Sequence, residues 1–585
     1  MLSNVNIYKY IGYIAIISSI YLIGEYIYND SRYQYEKKLK SKYNTNKNYS
    51  EDDLKNIPKP EHPHQATFQN HLMTLDPDLG YVPSNRLNEA FINKNSINTS
   101  FRNREMTWNN IPSNMGGRTR TAMFDPNDPE FNKVWAGSVS GGLWYNNDIT
   151  DGNSSWTSVS NFWDNLSVSK IIYDPGNTNI FYVGTGEVNT AITTYRESSS
   201  KGIGIWKTID GGENWTLLPS TSEFDYITDI EVKITENGSV IYAGVASGIY
   251  QGDEHQSQPS DGLYKSSNGG ETWSQVLPNI GNSDNPYTPS DIEITSDGKI
   301  YVGSMKNLDG NGGATILSSE SGEINSWTIY EDYKNIIESD NEYFIPGRVV
   351  LSSCKNVPDV VYAAIGSGYL NNMNFNLSYG NYIIKTINNG NAWIPVDLPT
   401  EDGNDWASLA WHALAISVHP EDPQTVFIGG LELYRSINGG ESWSDLSEWD
   451  LMYYGGGPRY IHADIHQINF KPNNYSAITV TSDGGIFYSN NSSASSQDII
   501  FNERNKGYNT LQFYTCDISP IEYGNIYVGG LQDNGTLVSG DLNDNDGEFD
   551  IMDMISGGDG AYCFFDDNDP LLITSTYYNY YFLFN

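Results

Sequence analysis

A short apolar strand of the form Ile/Val-aromatic-x-Gly recurs along most of the chain. It appears as Val134-Trp135-Ala136-Gly137, Phe181-Tyr182-Val183-Gly184, Ile241-Tyr242-Ala243-Gly244 and Ile300-Tyr301-Val302-Gly303. It returns as Val361-Tyr362-Ala363-Ala364, Val426-Phe427-Ile428-Gly429, Ile478-Thr479-Val480-Thr481 and Ile526-Tyr527-Val528-Gly529, at intervals of 47–65 residues. A strand that is apolar throughout, rather than at alternate positions, is buried on both faces. Repeated at this period, it fits the radially stacked four-stranded blades of a β-propeller. Ahead of several copies stand turns such as Asp125-Pro126-Asn127-Asp128-Pro129, Asp174-Pro175-Gly176-Asn177 and His419-Pro420-Glu421-Asp422-Pro423. Proline fixes φ and the Asx side chain caps the turn, so these segments join the first two strands of a blade.

A second element follows many of these strands. It reads Lys207-Thr208-Ile209-Asp210-Gly211-Gly212-Glu213-Asn214-Trp215, then Lys265 to Trp273, Lys385 to Trp393 and Arg435 to Trp443, with degenerate copies ending at Trp156 and Trp327. Asp210, Asn268, Asn388 and Asn438 are placed to cap a tight hairpin whose glycines take φ > 0. Trp215, Trp273, Trp393 and Trp443 are placed to pack between neighbouring blades. These residues read as scaffold and not as catalysts. Eight units result, and a ninth strand begins at Ala561-Tyr562-Cys563-Phe564-Phe565. The expectation is an all-β propeller of four-stranded blades, eight to ten in number, over residues 106–585. The sequence stops at Asn585 amid another apolar run, so a truncated chain or an unusual last blade is expected.

The remainder is read differently. Residues 10–24 form an apolar run of signal-peptide or signal-anchor character within 1–28. Residues 29–105 are polar and include Pro58-Lys59-Pro60, which reads as a linker or pro-region. Export to the cell surface or medium follows, with any membrane contact confined to the N-terminal segment. The net charge of -39 repels nucleic acid and anionic membranes. Three cysteines are too few for a disulfide scaffold, although a single Cys516–Cys563 bridge is compatible with the sequence.

Leu72 to Gly80, Gly116-Gly117-Arg118-Thr119-Arg120, Gly141 to Asp148 and Gly530-Leu531-Gln532-Asp533-Asn534-Gly535-Thr536 carry a family resemblance. Together with the Ser/Thr-x-Asp-x-Gly-x-x-Trp turns, they resemble the Asp-box (BNR, sialidase-type) propellers of the sortilin-like branch. They are close to propeller proteins that Bacteroidetes export by the type IX route. The resemblance implies a fold and an exported location rather than an activity.

Two enzyme classes on this scaffold test the chain further. A sialidase needs a cluster of three arginines and a Phe-Arg-Ile-Pro strand; the chain has eleven arginines and no such motif. Xyloglucanase-like glycoside hydrolases invert with two Asp residues, the first in an Ala-Arg-Thr-Asp-Val-Gly-Gly motif. The matching stretch, Ala136 to Gly142, has Val139 at the position of the acid, whereas Asp483 in Thr481-Ser482-Asp483-Gly484-Gly485 resembles the second. The sequence therefore favours a non-catalytic binding or adhesion propeller for a protein, peptide or glycan, with xyloglucanase-like hydrolysis as the alternative and Asp483 as its weak catalytic candidate. His462-Ala463-Asp464-Ile465-His466, read as a strand, puts His462, Asp464 and His466 on one face, where a transition metal or a hydrogen-bonded cluster fits. Asp541 to Gly547 has part of the spacing of a Ca²⁺ loop but lacks its terminal bidentate Glu.

Overall fold

The computed structural model describes residues 31–43, a turn at 75–80 and most of 115–584, the longest omitted segments being 189–199, 335–344 and 541–551. Nine antiparallel sheets follow in sequence order among the described residues. Blades 1 to 8 occupy 119–158, 168–217, 226–275, 288–330, 345–396, 415–445, 465–503 and 513–556, each a four-stranded sheet in sequence order. In blade 3 a two-stranded hairpin, Ile249–Gln251 with Glu254–Gln256, is inserted in the chain between the second and third strands. Blade 9, at 560–584, has three. Blades 4 and 5 are joined through one register pair, Met305–Arg348.

Every Ile/Val-aromatic repeat lies in the second strand of its blade, as in Val134–Ser138, Ile300–Met305 and Ile478–Ser482. All positions of these three strands are buried, which is why they are apolar without alternation. The Asx-Pro turns join first strands to second strands: Asp174 Oδ1, for example, accepts the Gly176 N–H at 2.8 Å.

Innermost strands pack in order around a channel: 119–124 on 168–174, then 226–235, 288–294, 345–354, 415–418 and 465–470. The last of these packs back on 119–124, so the ring closes at seven blades. At this seam the Ala122 N–H donates to Gln467 Oε1 (2.7 Å), and Asn469 Nδ2 donates to the Ala122 carbonyl (3.1 Å). Blades 8 and 9 stand outside the ring, with strand 513–518 packed on 560–565. The expected number of units is thus present, but a single ring does not hold them all. The repeat reports the interior of a blade, which is the same inside and outside a closed ring.

The four best turns share one hydrogen-bond pattern. In blade 2, Thr208 Oγ1 donates to Asp210 Oδ1 (2.7 Å) and accepts the Gly212 N–H (3.1 Å), and Asp210 Oδ1 accepts the Asn214 N–H (2.9 Å). Ser266/Asn268, Thr386/Asn388 and Ser436/Asn438 repeat this in blades 3, 5 and 6. Gly212, Gly270, Gly390 and Gly440 have φ of 94°, 92°, 78° and 89°, a region that side chains rarely enter. Trp215 lies edge-on to Trp135 of blade 1 at 6.1 Å, and Trp393 edge-on to Tyr301 of blade 4 at 6.2 Å.

The cation that opens each turn ties one blade to the next. Lys207, Lys265 and Lys385 donate to Gly269 O (2.9 Å), Ser321 O (3.4 Å) and Gly439 O (2.6 Å) of the following blade. Lys299 makes the equivalent reach to Asn389 O (2.7 Å). Each ammonium also lies within 5.4–6.0 Å of a tyrosine ring centroid, those of Tyr182, Tyr242, Tyr301 and Tyr362.

Four expectations need comment. The polar stretch after residue 29 is not linker throughout: Ser31–Tyr43 is helical, with Arg32 and Glu36 paired at 2.8 Å one turn apart. No Gly or Pro interrupts that segment. Cys516 and Cys563 are both free. Thr515 Oγ1 lies 3.4 Å from Cys563 Sγ, so strand alternation turns Cys516 to the opposite face and away from a bridge. The apolar run at 10–24 and the Asp541–Gly547 stretch lie outside the described residues. Among the described residues no helix is long and apolar enough to cross a membrane.

Replacing Trp393 with Ala removes a buried inter-blade ring and should cost about 3–5 kcal/mol. Lys385→Met, which removes one charge-assisted bond, should cost about 1–3 kcal/mol. Thermal denaturation of both variants checks the order; an equal or larger drop for Lys385→Met would contradict it.

Candidate functional site

In an up-and-down blade the start of the first strand and the end of the second lie at the same end of the channel. Arg118 and Arg120 come from the start of strand 119–124, His412 from just before 415–418, and His466 from 465–470. Glu187 follows the second strand of blade 2, and Asp483 occupies the turn between 478–482 and 485–489. Sequence-distant residues thereby meet at one channel end. Arg118, Glu187, His412 and Asp483 are 3%, 1%, 5% and 1% exposed, so their charges must be compensated within the protein.

They are. Arg118 Nη1 donates to Glu187 Oε2 (2.9 Å), and Arg120 Nε to Glu187 Oε1 (2.6 Å). Arg120 Nη1 contacts His466 Nδ1 (2.8 Å) and donates to the His412 carbonyl (2.8 Å), while its Nη2 contacts His412 Nδ1 (3.0 Å). The far side of each imidazole meets one carboxylate: His412 Nε2 lies 2.8 Å from Asp483 Oδ2, and His466 Nε2 2.6 Å from Asp483 Oδ1. Arg118 Nε is 3.2 Å from Asp483 Oδ1 but poorly aligned for a hydrogen bond, so this contact is chiefly coulombic.

Guanidinium has donors only. Each Nδ1 facing Arg120 is therefore an acceptor, and each neutral imidazole carries its proton on Nε2 and donates it to Asp483. Burial and then Arg120 push His466 down to about 3. His412 is likewise lowered, by burial first, against the pull of Asp483. Burial would raise Glu187 and Asp483, but the surrounding cations and imidazoles outweigh it. Arg118 and Arg120 hold Glu187 at about 2, and His412, Arg118 and His466 hold Asp483 well below the usual carboxylate range.

His412, His466 and Asp483 bring ligating atoms within 4.8 Å of one another, the spacing of a metal site. The protonation pattern does not fit one. A ligating imidazole needs a bare nitrogen toward the metal and usually donates from the other to an acceptor, whereas Arg120 occupies that outer position as a donor. We read the triad as a hydrogen-bonded clamp.

The sequence-based ligand set separates in the structure. Asp464 has φ of 65° and the strand begins at Ile465, so the two-residue alternation does not reach back to His462. The group of ligating atoms contains His466 but neither His462 nor Asp464. The His462 imidazole is packed on Gly484, and among the described residues its buried Nε2 makes no well-aligned hydrogen bond. Arg118 and Arg120 stood in a quoted segment, but nothing local marked Glu187 or His412, whose partners lie more than 60 residues away.

A second group of carboxyls adjoins the clamp. Asp533, from the turn after strand 527–531 of blade 8, reaches Arg118 Nη2 at 3.4 Å, and its N–H donates to Asp559 Oδ1 at 2.8 Å. Burial, and then the negative charge of Asp483, push Asp533 well above the usual range and Asp464 up to about 8. Asp559 is also raised, by burial first, against the Asp533 N–H. Asp533 is 24% exposed at its side chain, so this group opens to solvent where the clamp does not. Tyr453 packs on Gly557 beside it, and Tyr454 is 77% exposed. Val139 is buried, so no carboxylate stands at that position.

This fold is shared by known enzymes. No family model matches the chain. A probable oligoxyloglucan-reducing end-specific xyloglucanase of Neosartorya fischeri is 26% identical over 238 residues, 36% of this chain and 25% of that protein. The crystal structure of an ancestral GH74 enzyme aligns at a TM-score of 0.54 with 17% identity, covering 81% of this chain and 60% of the other. A GH74 enzyme of Niastella koreensis aligns at 0.49, with 17% identity over 80% and 71%. The chain matches about a quarter of the curated relative and 60% of the ancestral enzyme.

The clamp makes stability depend on pH in a defined direction. His466 is lowered from 6.5 to about 3 and Glu187 from 4.5 to about 2. The unfolded chain takes up both protons first, so stability is full above about pH 6.5 and falls as pH drops toward 3 and then 2. Each group adds a slope of up to about 1.4 kcal/mol per pH unit in its window. Because the raised carboxyls shift stability the other way, the comparison is with a variant: His466→Gln should flatten the 6.5-to-3 limb of denaturation midpoint against pH relative to wild type, and an unchanged slope would refute the assignment.

Proposed function

We propose that the chain is an exported, carbohydrate-active propeller of the xyloglucanase-like kind, a glycoside hydrolase whose proton donor belongs to the Asp533–Asp559 pair. The observation that carries this is unequal protonation within one cluster. Asp483 is held ionised, while Asp464 is pushed up to about 8, Asp533 well above the usual range and Asp559 above it. Glycoside cleavage needs a carboxyl kept protonated to deliver a proton to the leaving oxygen, and the fixed charge of Asp483 favours that form in its neighbours. Asp533 is the exposed member, and its backbone bond to Asp559 fixes the two carboxyls side by side. The xyloglucanase relative and the fold shared with the ancestral GH74 enzyme support a glycan as ligand.

On this reading Asp483 is a positioning residue: both its oxygens are committed to the clamp, and its charge raises its neighbours. The turns of blades 2, 3, 5 and 6 are read as Asp-boxes with a scaffold role, and an extracellular glycan fits an exported chain. Val139 favours a second reading, a propeller that binds glycan without turnover, because no acid stands at the position of the first one in the xyloglucanase-like motif.

Reducing-sugar release from xyloglucan and other β-glucans distinguishes the two. Asp533→Asn and Asp559→Asn should each lower kcat at least 100-fold with the melting temperature kept, as expected for loss of a general acid. Glycan retention by a wild type that releases no sugar would sink the hydrolase reading and leave the binding one.

A further inference from the structure

Beyond the clamp, whose Arg120, Glu187 and His466 form part of its wall, the ring encloses a cavity of about 270 Å³ at the channel. Its walls include Lys170 of blade 2, Asp229 and Glu231 of blade 3, Asp291 and Glu293 of blade 4 and Arg348 of blade 5, all on innermost strands. Lys170 Nζ sits 2.6 Å from Asp229 Oδ1 and 3.3 Å from Glu231 Oε1. Asp291 accepts the Leu351 N–H (2.6 Å) and Glu293 the Ser353 hydroxyl (2.5 Å), both neutral donors. One ammonium thus faces four carboxyls. Burial first, and then mutual repulsion, push Glu231 up to about 8 and Asp291 well above its usual range; burial pushes Glu293 up to about 7.

Arg348 is the independent observation. It is 7% exposed, and its Nε and Nη2 donate to the carbonyls of Ala410 (3.0 Å) and Leu414 (3.1 Å). Nη1 makes no hydrogen bond among the described residues, and no carboxylate there lies within ion-pair distance of the group. Burial and then Arg120 push it down to about 9, against the pull of Asp291. An unanswered guanidinium N–H and a group of crowded carboxyls with no further cation therefore line one small space without touching. A lone anion would meet the carboxyls, and a lone cation would leave the guanidinium unanswered. A molecule with an anionic and a cationic end answers both.

We propose that the channel cavity binds a small zwitterion, a free α-amino acid or dipeptide, with its carboxylate on Arg348 and its ammonium among Asp291, Glu293 and Glu231. At about 270 Å³ the cavity lies at the small end of ligand pockets, which suits a molecule of one or two residues. A guanidinium fork matches a carboxylate geometrically, and two neutral carbonyls already fix its orientation. This site is separate from the glycan reading and stands or falls without it.

Isothermal titration of the full chain at pH 7 with glycine, L-lysine and diglycine should give saturable one-to-one binding. Ethylamine and acetate, the two halves, should bind at least tenfold more weakly. Arg348→Met should erase the advantage of an amino acid over its amine, and Glu293→Gln should weaken amino acids but not acetate. Arg348 also supports backbone carbonyls; if that variant does not fold, the half-ligands on the wild type and Glu293→Gln decide alone. Ethylamine or calcium chloride binding as tightly as the amino acids would replace the zwitterion with a simple cation site. No amino-acid binding at millimolar concentration by folded wild type would overturn the proposal.

Discussion

The seam between the innermost strands of blades 1 and 7 is the contact on which the other features depend. A propeller blade is stable only when a neighbour covers each face, and the seam is the one place where that neighbour comes from the far end of the ring. No strand is exchanged there, so side chains hold it. The Arg120 guanidinium spans Glu187 of blade 2, the carbonyl before blade 6 and both imidazoles, and Asp483 closes the circuit from blade 7. Removing one partner would leave the others charged or polar in a dry space, which makes such networks all-or-none.

The clamp also sets the electrostatics of its surroundings. Because Asp483 is kept ionised by three neighbours, the carboxyls just beyond it feel a fixed negative charge. Burial first, and that charge after it, push Asp464, Asp533 and Asp559 above the usual carboxylate range. A structural device at the ring end thereby produces chemical differentiation next door. Blades 8 and 9 matter for this reason: Asp533 and Asp559 come from them, so the cluster exists only where the closed ring meets the first sheets outside it.

Most of the fold was legible in the sequence because it is local. Second strands declare themselves by being apolar at every position, and the Thr/Ser, Asx and Gly of each turn act within nine residues. Ring closure was not legible, since blade 7 and blade 8 have the same internal pattern and differ only in what covers them. The site was legible in fragments. Asp483 and His466 stood in recognisable segments, but the strand face assumed for His462, Asp464 and His466 fails at Asp464, where the backbone turns left-handed. Glu187 and His412 have unremarkable neighbours; their roles arise from partners brought together by the channel end.

The lysine ties between successive turns carry a consequence for how such a chain can diverge. Each tie ends on a backbone carbonyl, that of Gly269, Ser321, Asn389 or Gly439, and a carbonyl is present whatever residue supplies it. The receiving turn is free to drift at the carbonyl's own residue while the joint persists; at the degenerate turn around Ser321 the Glu323 carboxylate adds a second hold on Lys265 at 2.5 Å. Only the reaching cation is constrained. A ring joined in this way can accumulate substitutions blade by blade without matched changes in the neighbour, which is how copies of one unit come to share a shape while their sequences part.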